Sequence, residues 1–184
     1  MPAIFRPAFV LLACFTILTG IVYPLAATGI GRVLFPVAAS GSPVVVDGTT
    51  VGSSLAGQAF DAPRYFHPRP SAGGYDGRAS GGTNLGPLSA KLIKRVGDAV
   101  AAFGQDGPVP ADAVAASASG LDPDISPQNA FAQVARVAAA RDIPTDSVAA
   151  LVGAQVRGRL FGFIGEPRVN VLALNLALDR LPAK

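Results

Sequence analysis

Cysteine is almost absent from the 184 residues: Cys14 stands alone, which excludes an internal disulfide and any zinc site built from cysteines. Charge is scarce as well, at 15% of positions, yet half the residues are hydrophobic and the mean hydropathy is +0.42. Low charge here therefore does not mean disorder. The net charge is only +3, and the basic residues occur singly rather than in a stripe, which argues against nucleic acid as a partner. Glutamate occurs once against eleven aspartates, and lysine three times against twelve arginines, a skew we read as the codon bias of a GC-rich genome. Neither G-x-x-x-x-G-K-[ST] nor G-x-S-x-G occurs, so the chain is neither a P-loop nucleotide hydrolase nor a hydrolase with a nucleophile elbow. The 21 glycines have no three-residue period, which excludes collagen. The length allows one domain, or one domain and an anchor.

What is present first is a long uncharged run. No charged residue lies between Arg6 and Arg32. A helix over residues 8–30 would rise roughly 34 Å, enough for a hydrocarbon core of about 30 Å. Pro24 would kink or finish it. No second run of this kind follows, so the expectation is one transmembrane helix at 8–30, a short cytoplasmic tail at 1–7 and a soluble domain at 35–184. Arg6 on one side and Arg32 on the other favour a cytoplasmic N-terminus and an outer, periplasmic domain. Two rivals are a cleaved signal peptide, ending near Val37-Ala38-Ala39, and a lipoprotein modified at Cys14. Both fit poorly, because apolar sequence continues well past Cys14 and stops well before Ala39. Ala13, Thr16 and Gly20 are small residues at helical spacing, a face that lets a partner helix approach closely.

The outer part divides into a Gly/Pro-rich half and a more helical half. Val44-Val45-Val46, Asp47-Gly48 and Thr49-Thr50-Val51 are the strongest hairpin signal in the chain, and 53–60 would add a strand. The segment from Pro63 to Pro87 reads as a long surface loop, of the sort that is usually functional or bound to something. Leu88, Leu92, Val96, Val100 and Phe103 recur at helical spacing, with Gly104 as a stop. Ser126-Pro127 caps a helix carrying Phe131, Val134, Val137 and Ala138 as its apolar stripe. Thr145-Asp146 would cap another, carrying Val148, Leu151, Val152 and Val156. Residues 169–178 alternate like a strand but are good helix formers, and we read them as helix. The order predicts a small α+β domain.

No catalytic constellation emerges. His67 is the lone histidine, and a triad with Ser71 and Asp61 would have to fit within one proline-locked loop. Asp122-Pro123-Asp124 brings two carboxylates together without a third ligand, and Asp122 serves better in a turn leading into the Ser126 helix. Ser80-Gly81-Gly82-Thr83-Asn84 would present backbone N–H groups to a phosphate only weakly. One span, a loop-rich outer domain and no reaction chemistry suggest an accessory subunit of a membrane complex. The alternative is a stand-alone binding domain, anchored or secreted.

Several strings then carry a resemblance. They are Gly20-Ile21-Val22-Tyr23-Pro24-Leu25 with Thr28-Gly29, Gly57-Gln58-Ala59-Phe60, and Tyr65-Phe66-His67-Pro68-Arg69-Pro70-Ser71-Ala72. Thr83-Asn84-Leu85-Gly86-Pro87, Ser119-Gly120-Leu121-Asp122-Pro123 with Ile125-Ser126-Pro127, and Gln133-Val134-Ala135-Arg136-Val137 follow. Gly162-Phe163-Ile164-Gly165-Glu166-Pro167-Arg168-Val169-Asn170-Val171-Leu172 closes the series. Over nearly the whole chain, in order, these resemble the C subunit of the Kdp potassium-transporting ATPase. One departure is Asp124, which stands where the family usually has histidine.

The resemblance implies a bacterial inner-membrane complex that takes up potassium with ATP. It would comprise a channel-like A subunit, a P-type ATPase B subunit, this C subunit and a small F peptide. The C subunit is then expected to be non-catalytic, without a cofactor or metal of its own, ATP and potassium being handled by the complex. It would be needed for assembly and act as a catalytic chaperone that raises the ATP affinity of the B subunit. An outer domain cannot touch cytoplasmic ATP, so coupling would be indirect. The residues expected to matter are Ala13, Thr16 and Gly20 against a partner helix, and Arg69, Ser71, Asn84, Asp122 and Arg136 at an interface or in locking loops.

Overall fold

The computed structural model describes residues 3–104 and 107–181. It divides into two compact units, residues 1–43 and 44–184.

The first unit is dominated by one continuous helix, Phe5–Leu34, of 30 residues. At about 1.5 Å per residue it rises roughly 45 Å, so by length and composition it is long and apolar enough to cross a membrane. The span expected at 8–30 lies inside it. Pro24 does not finish this helix, contrary to one of the two outcomes its sequence position allows. Helix α1 (Phe5–Ile17) passes through a π-helical turn, Leu18–Val22, into α2 (Tyr23–Leu34). The Tyr23 N–H donates to Leu18 O, one residue wider than an α turn, and opens the helix just where the Pro24 ring would meet the Gly20 carbonyl. The Thr19 hydroxyl donates to Phe15 O at 2.6 Å. Gly20 sits within the wide turn. A short turn, α3 (Pro36–Ala39), follows.

The second unit begins with the hairpin β1 (Pro43–Val46) and β2 (Thr49–Ser53). Asp47 and Gly48 both have positive φ, 49° and 77°, the type I′ turn that suits strand twist. Residues 53–60 form no further strand. Ser53 and Ala56 close a tight turn, after which Gly57 turns its N–H to Leu121 O at 2.8 Å. A Cβ at Gly57 would lie 2.5 Å from Asp122 O, so the close approach of two backbones fixes glycine there.

The helices are α4 (Ala90–Phe103), α5 (Ala111–Val114), α6 (Pro127–Ala132), α7 (Val134–Arg141), α8 (Thr145–Gln155) and α9 (Val171–Asp179). Helix α4 ends on left-handed Gly104. Ser126 caps α6, accepting the Asn129 N–H at 3.1 Å, with Pro127 behind it. The stripe expected beyond it is shifted. The helix breaks at Gln133, Phe131 is 47% exposed, and Ala130 enters the core in its place. Thr145 is not a cap either: it lies inside α8, behind Pro144. Residues 169–178 combine both tendencies. Strand β4 (Val169–Asn170) pairs antiparallel with β3 (Asp124–Ile125), Asp124 opposite Asn170. The Asn170 side chain then accepts the Ala173 N–H at 3.0 Å and starts α9, which is why β-branched Val171 begins a helix.

The core lies among α6 to α9, built from Ala130, Val134, Val137, Val148, Val152, Leu174 and Leu178. Phe66, from the long loop, is fully buried among them. This is the α+β architecture expected from the order of elements.

Candidate functional site

Burying Phe66 from a loop takes its backbone polar groups out of water, where each needs a partner. Two side-chain amides supply them. Asn175 of α9 accepts the Phe66 N–H at 2.8 Å and donates to Phe66 O at 3.0 Å. Gln133 does the same for His67, accepting its N–H at 2.7 Å and donating to its carbonyl at 3.1 Å. Each amide reproduces the paired bonds of a neighbouring β-strand, so an extended loop is seated on a helical core with no strand beside it. Gln133 Nε2 also donates to Asn129 Oδ1 at 2.9 Å.

Arginines from α7 close the outer side. Arg136 donates to Pro63 O at 2.5 Å, to Tyr65 O at 3.1 Å and to Gln133 Oε1 at 2.6 Å. Arg141 donates to Arg64 O at 2.7 Å, pairs with Asp179 at 2.6 Å, and places its guanidinium 4.9 Å from the centre of the Tyr65 ring, a cation–π contact. Tyr65 in turn donates to Asp179 at 3.2 Å.

The rest of the loop is tied to residues 117–122. Arg69 pairs with Asp122 at 2.9 Å, and Asp122 Oδ1 also accepts the Asp124 N–H at 3.1 Å, forming the turn that leads towards Ser126. The Ser71 hydroxyl donates to Gly120 O at 2.7 Å and accepts the Tyr75 N–H at 3.0 Å. Asn84 takes no part: it is exposed in the left-handed region at φ 52°. Asp112, which sequence reasoning missed, accepts the Ser126 N–H and hydroxyl at 2.7 and 2.8 Å and the Asn129 amide at 3.1 Å. Its only sequence signal was an aspartate in a proline-flanked segment.

Ser71 Oγ is committed to Gly120 O, and His67 Nε2 lies 3.3 Å from Ala62 O, so the two are not aligned as nucleophile and base. Burial first, and then the charge of Arg136, push the His67 imidazole below its ordinary pKa, leaving it neutral at pH 7. Gly81 directs its N–H to Ser119 O at 2.8 Å, so that group is not turned outward to meet an anion. Asp112, Asp122, Asp124 and Glu166 surround a recess of 440 Å³, yet each is engaged: Asp124 by Arg168 at 2.9 Å and by Asn170, Glu166 by Arg159 at 2.6 Å. Asp124, at the position where histidine was expected, is thus an anchor for Arg168 and β4. Among the described residues no group of three His, Cys, Asp or Glu is placed to hold a metal ion.

Ala13, Thr16 and Gly20 lie exposed on the long helix, and a Cβ at Gly20 would meet nothing within 4 Å. Among the described residues, none would crowd a side chain at that position.

An apolar N-terminal helix followed by a small α+β domain, its polar groups spent on holding a loop, defines a class of membrane-anchored module. Comparison with known proteins places it more closely: residues 5–180 match the family model described as K+-transporting ATPase, c chain, and the chain belongs to that KdpC family. A protein of Allorhizobium ampelinum named potassium-transporting ATPase KdpC subunit is 58% identical over 180 residues, covering 95% of this chain and 94% of its own. Proteins of the same name from Caulobacter vibrioides (55% identical, 95% and 91% covered) and Gemmatimonas aurantiaca (53%, 97% and 93%) agree. The chain is accordingly a subunit of a K+-transporting ATPase.

Proposed function

We propose that this chain is a non-catalytic accessory subunit that assembles an ATP-driven, high-affinity potassium uptake complex. It raises the ATP affinity of a P-type ATPase subunit without touching nucleotide. The observation that carries the reading is the commitment of Ser71, His67, Asp122 and Arg136 to loop-holding contacts, and of Asp124 to Arg168 and β4. Groups so engaged make a rigid docking body rather than a reaction centre.

In this account the Phe5–Leu34 helix crosses the bacterial inner membrane once, with its N-terminus in the cytoplasm and the domain in the periplasm. Ala13, Thr16 and Gly20 face a partner helix, where small side chains permit close packing. The partners are the channel-like A subunit, the ATPase B subunit and the small F peptide. ATP and potassium belong to the complex, and this chain holds no cofactor or metal itself. Docking on one conformer of the assembly shifts its population, and linkage carries that preference to the nucleotide site across the membrane.

The test is the ATP dependence of potassium-stimulated hydrolysis in complexes purified with the unaltered chain and with Gly20→Leu. The account expects a higher KM for ATP or a loss of assembly with the variant, while its outer domain stays folded. An unchanged KM in a fully assembled Gly20→Leu complex overturns the helix-face part of the reading.

A further inference from the structure

Between α8 and β4 the chain makes a hairpin arm that none of the contacts above explains. Arg157 and Arg168 pair at its base, exchanging backbone hydrogen bonds of 2.8 and 3.0 Å, and Leu160 pairs with Ile164 near the tip at 2.9 and 3.0 Å. The Arg159–Glu166 ion pair, 2.6 Å, braces the two arms. At the tip, Leu160 is 58% exposed, Phe161 80%, Phe163 73% and Ile164 49%. Buried aromatic rings cover about 150–250 Å² each, so the two phenylalanines alone present roughly 300 Å² of apolar surface. The largest apolar patch on a monomer is typically about 300–600 Å² and often functional, and Leu160 and Ile164 extend this one further.

The arm is also pre-shaped. Phe161 holds φ 53°, a conformation uncommon for a bulky side chain, and Gly162 and Gly165 hold 82° and 80°. Its base runs directly into the fully buried Val169. A fixed apolar tip on a braced stem binds a shaped recess with little ordering cost. A fluid lipid surface offers no shaped recess to complement it. Lipid interfaces favour Trp and Tyr at the headgroup level, but the tip has neither. Of the arm's three arginines, Arg159 and Arg168 are tied to Glu166 and Asp124, leaving Arg157 at the base rather than a cluster of free cations around the tip. The arm carries three arginines against one glutamate over residues 157–168, and exposed Arg157 has no ionic partner among the described residues. Its complement is an apolar recess with an acidic rim.

We propose that the Leu160–Ile164 tip docks into an apolar, acid-rimmed recess on the extracytoplasmic face of another subunit of the complex, with Phe161 and Phe163 as anchors. The proposal rests on the assembly reading above, and its test separates the two. A photo-crosslinking phenylalanine analogue is placed at position 163 of the full, tagged chain, and the complex is purified from illuminated cells. A covalent adduct between position 163 and a transmembrane subunit is expected. An analogue at Asp98, which is exposed on α4, is expected to give on the order of tenfold less adduct. Phe161→Ala with Phe163→Ala is expected to lower recovery of the partner by about tenfold or more, while leucine at both positions restores most of it. An intact complex whose position 163 crosslinks to phospholipid, to a second copy of this chain or to nothing overturns the docking proposal and leaves the assembly reading standing. An unaltered chain that recovers no partner subunit overturns both.

Discussion

Replacing Asn175 with leucine removes one amide of the loop clamp while keeping its branching and its number of side-chain heavy atoms. The Phe66 N–H and carbonyl, now paired at 2.8 and 3.0 Å, would lose their partners beside a residue of 0% exposure. An orphaned buried polar group costs about 1–3 kcal/mol, so two cost about 2–6 kcal/mol, partly offset by about 1–2 kcal/mol from the added apolar side chain. A net loss of about 3 kcal/mol is a large share of a typical stability of about 5–15 kcal/mol. With a urea dependence of about 2 kcal/mol per molar, the midpoint should fall by about 1.5 M. The measurement is urea unfolding of the full chain in detergent, read by pulse proteolysis, together with hydrogen exchange at Phe66 and His67. Both amides should lose protection. Asn175→Asp makes a sharper comparison, because a carboxylate there would face the Phe66 carbonyl. Its deficit should shrink as pH falls and the carboxyl becomes a donor. A midpoint within about 0.3 M of the unaltered protein, with exchange unchanged, would refute the clamp.

Three further outcomes follow from the same contacts. Gly57→Ala brings a Cβ within 2.5 Å of Asp122 O, and should destabilise the domain by about 2 kcal/mol or more, seen as a lower urea midpoint. His67 has its pKa lowered by burial and then by Arg136. Below about pH 6.5 the unfolded chain binds a proton that the folded chain refuses, so stability should be lost as pH falls through that value. Urea midpoints of His67→Asn across the same range should show a shallower decline. Asp112→Ala strips the Ser126 N–H and hydroxyl and the Asn129 amide of an acceptor, and should lower the midpoint more than Asp98→Ala, which pairs among the described residues with exposed Lys94.

Local patterns made part of this fold legible. Asp47-Gly48 between β-branched runs fixes a hairpin, Ser126-Pro127 fixes a helix start and Gly104 a helix end, because turn and cap chemistry acts over a few residues. The Pro24 site was harder, since a proline inside an apolar run is compatible with a stop, a kink or a wide turn, and the π turn one step earlier leaves no compositional mark. Phe131 misled because the 3.6-residue period assumes an unbroken helix, and Gln133 breaks it. Thr145 misled because Pro144 holds the extended conformation that a cap residue needs.

The loop clamp was least legible. Its amides sit 109 and 66 residues from the backbone they serve, and an isolated Asn or Gln in a helix gives no sign of such a partner. Arg69, Ser71, Asp122 and Arg136 stood out in the sequence as polar residues in conspicuous strings. Their geometry, including the backbone groups that Arg136 holds, needed the fold. Residues 162–168 of the apolar arm lay within a string that carried the family resemblance, while Leu160 and Phe161 lay outside it, and the arm's exposure became visible only once the core had been filled by other residues.

The central claim is that this chain works as an assembled accessory subunit. Affinity purification from native membranes of potassium-starved cells, through a tag after Lys184 and in mild detergent, with mass spectrometry of the recovered proteins, tests it most directly. The account predicts a P-type ATPase and a channel-like subunit in near-stoichiometric amounts with the tagged chain. Recovery of the chain alone, from expressing cells and in several detergents, would contradict it and favour a stand-alone binding domain.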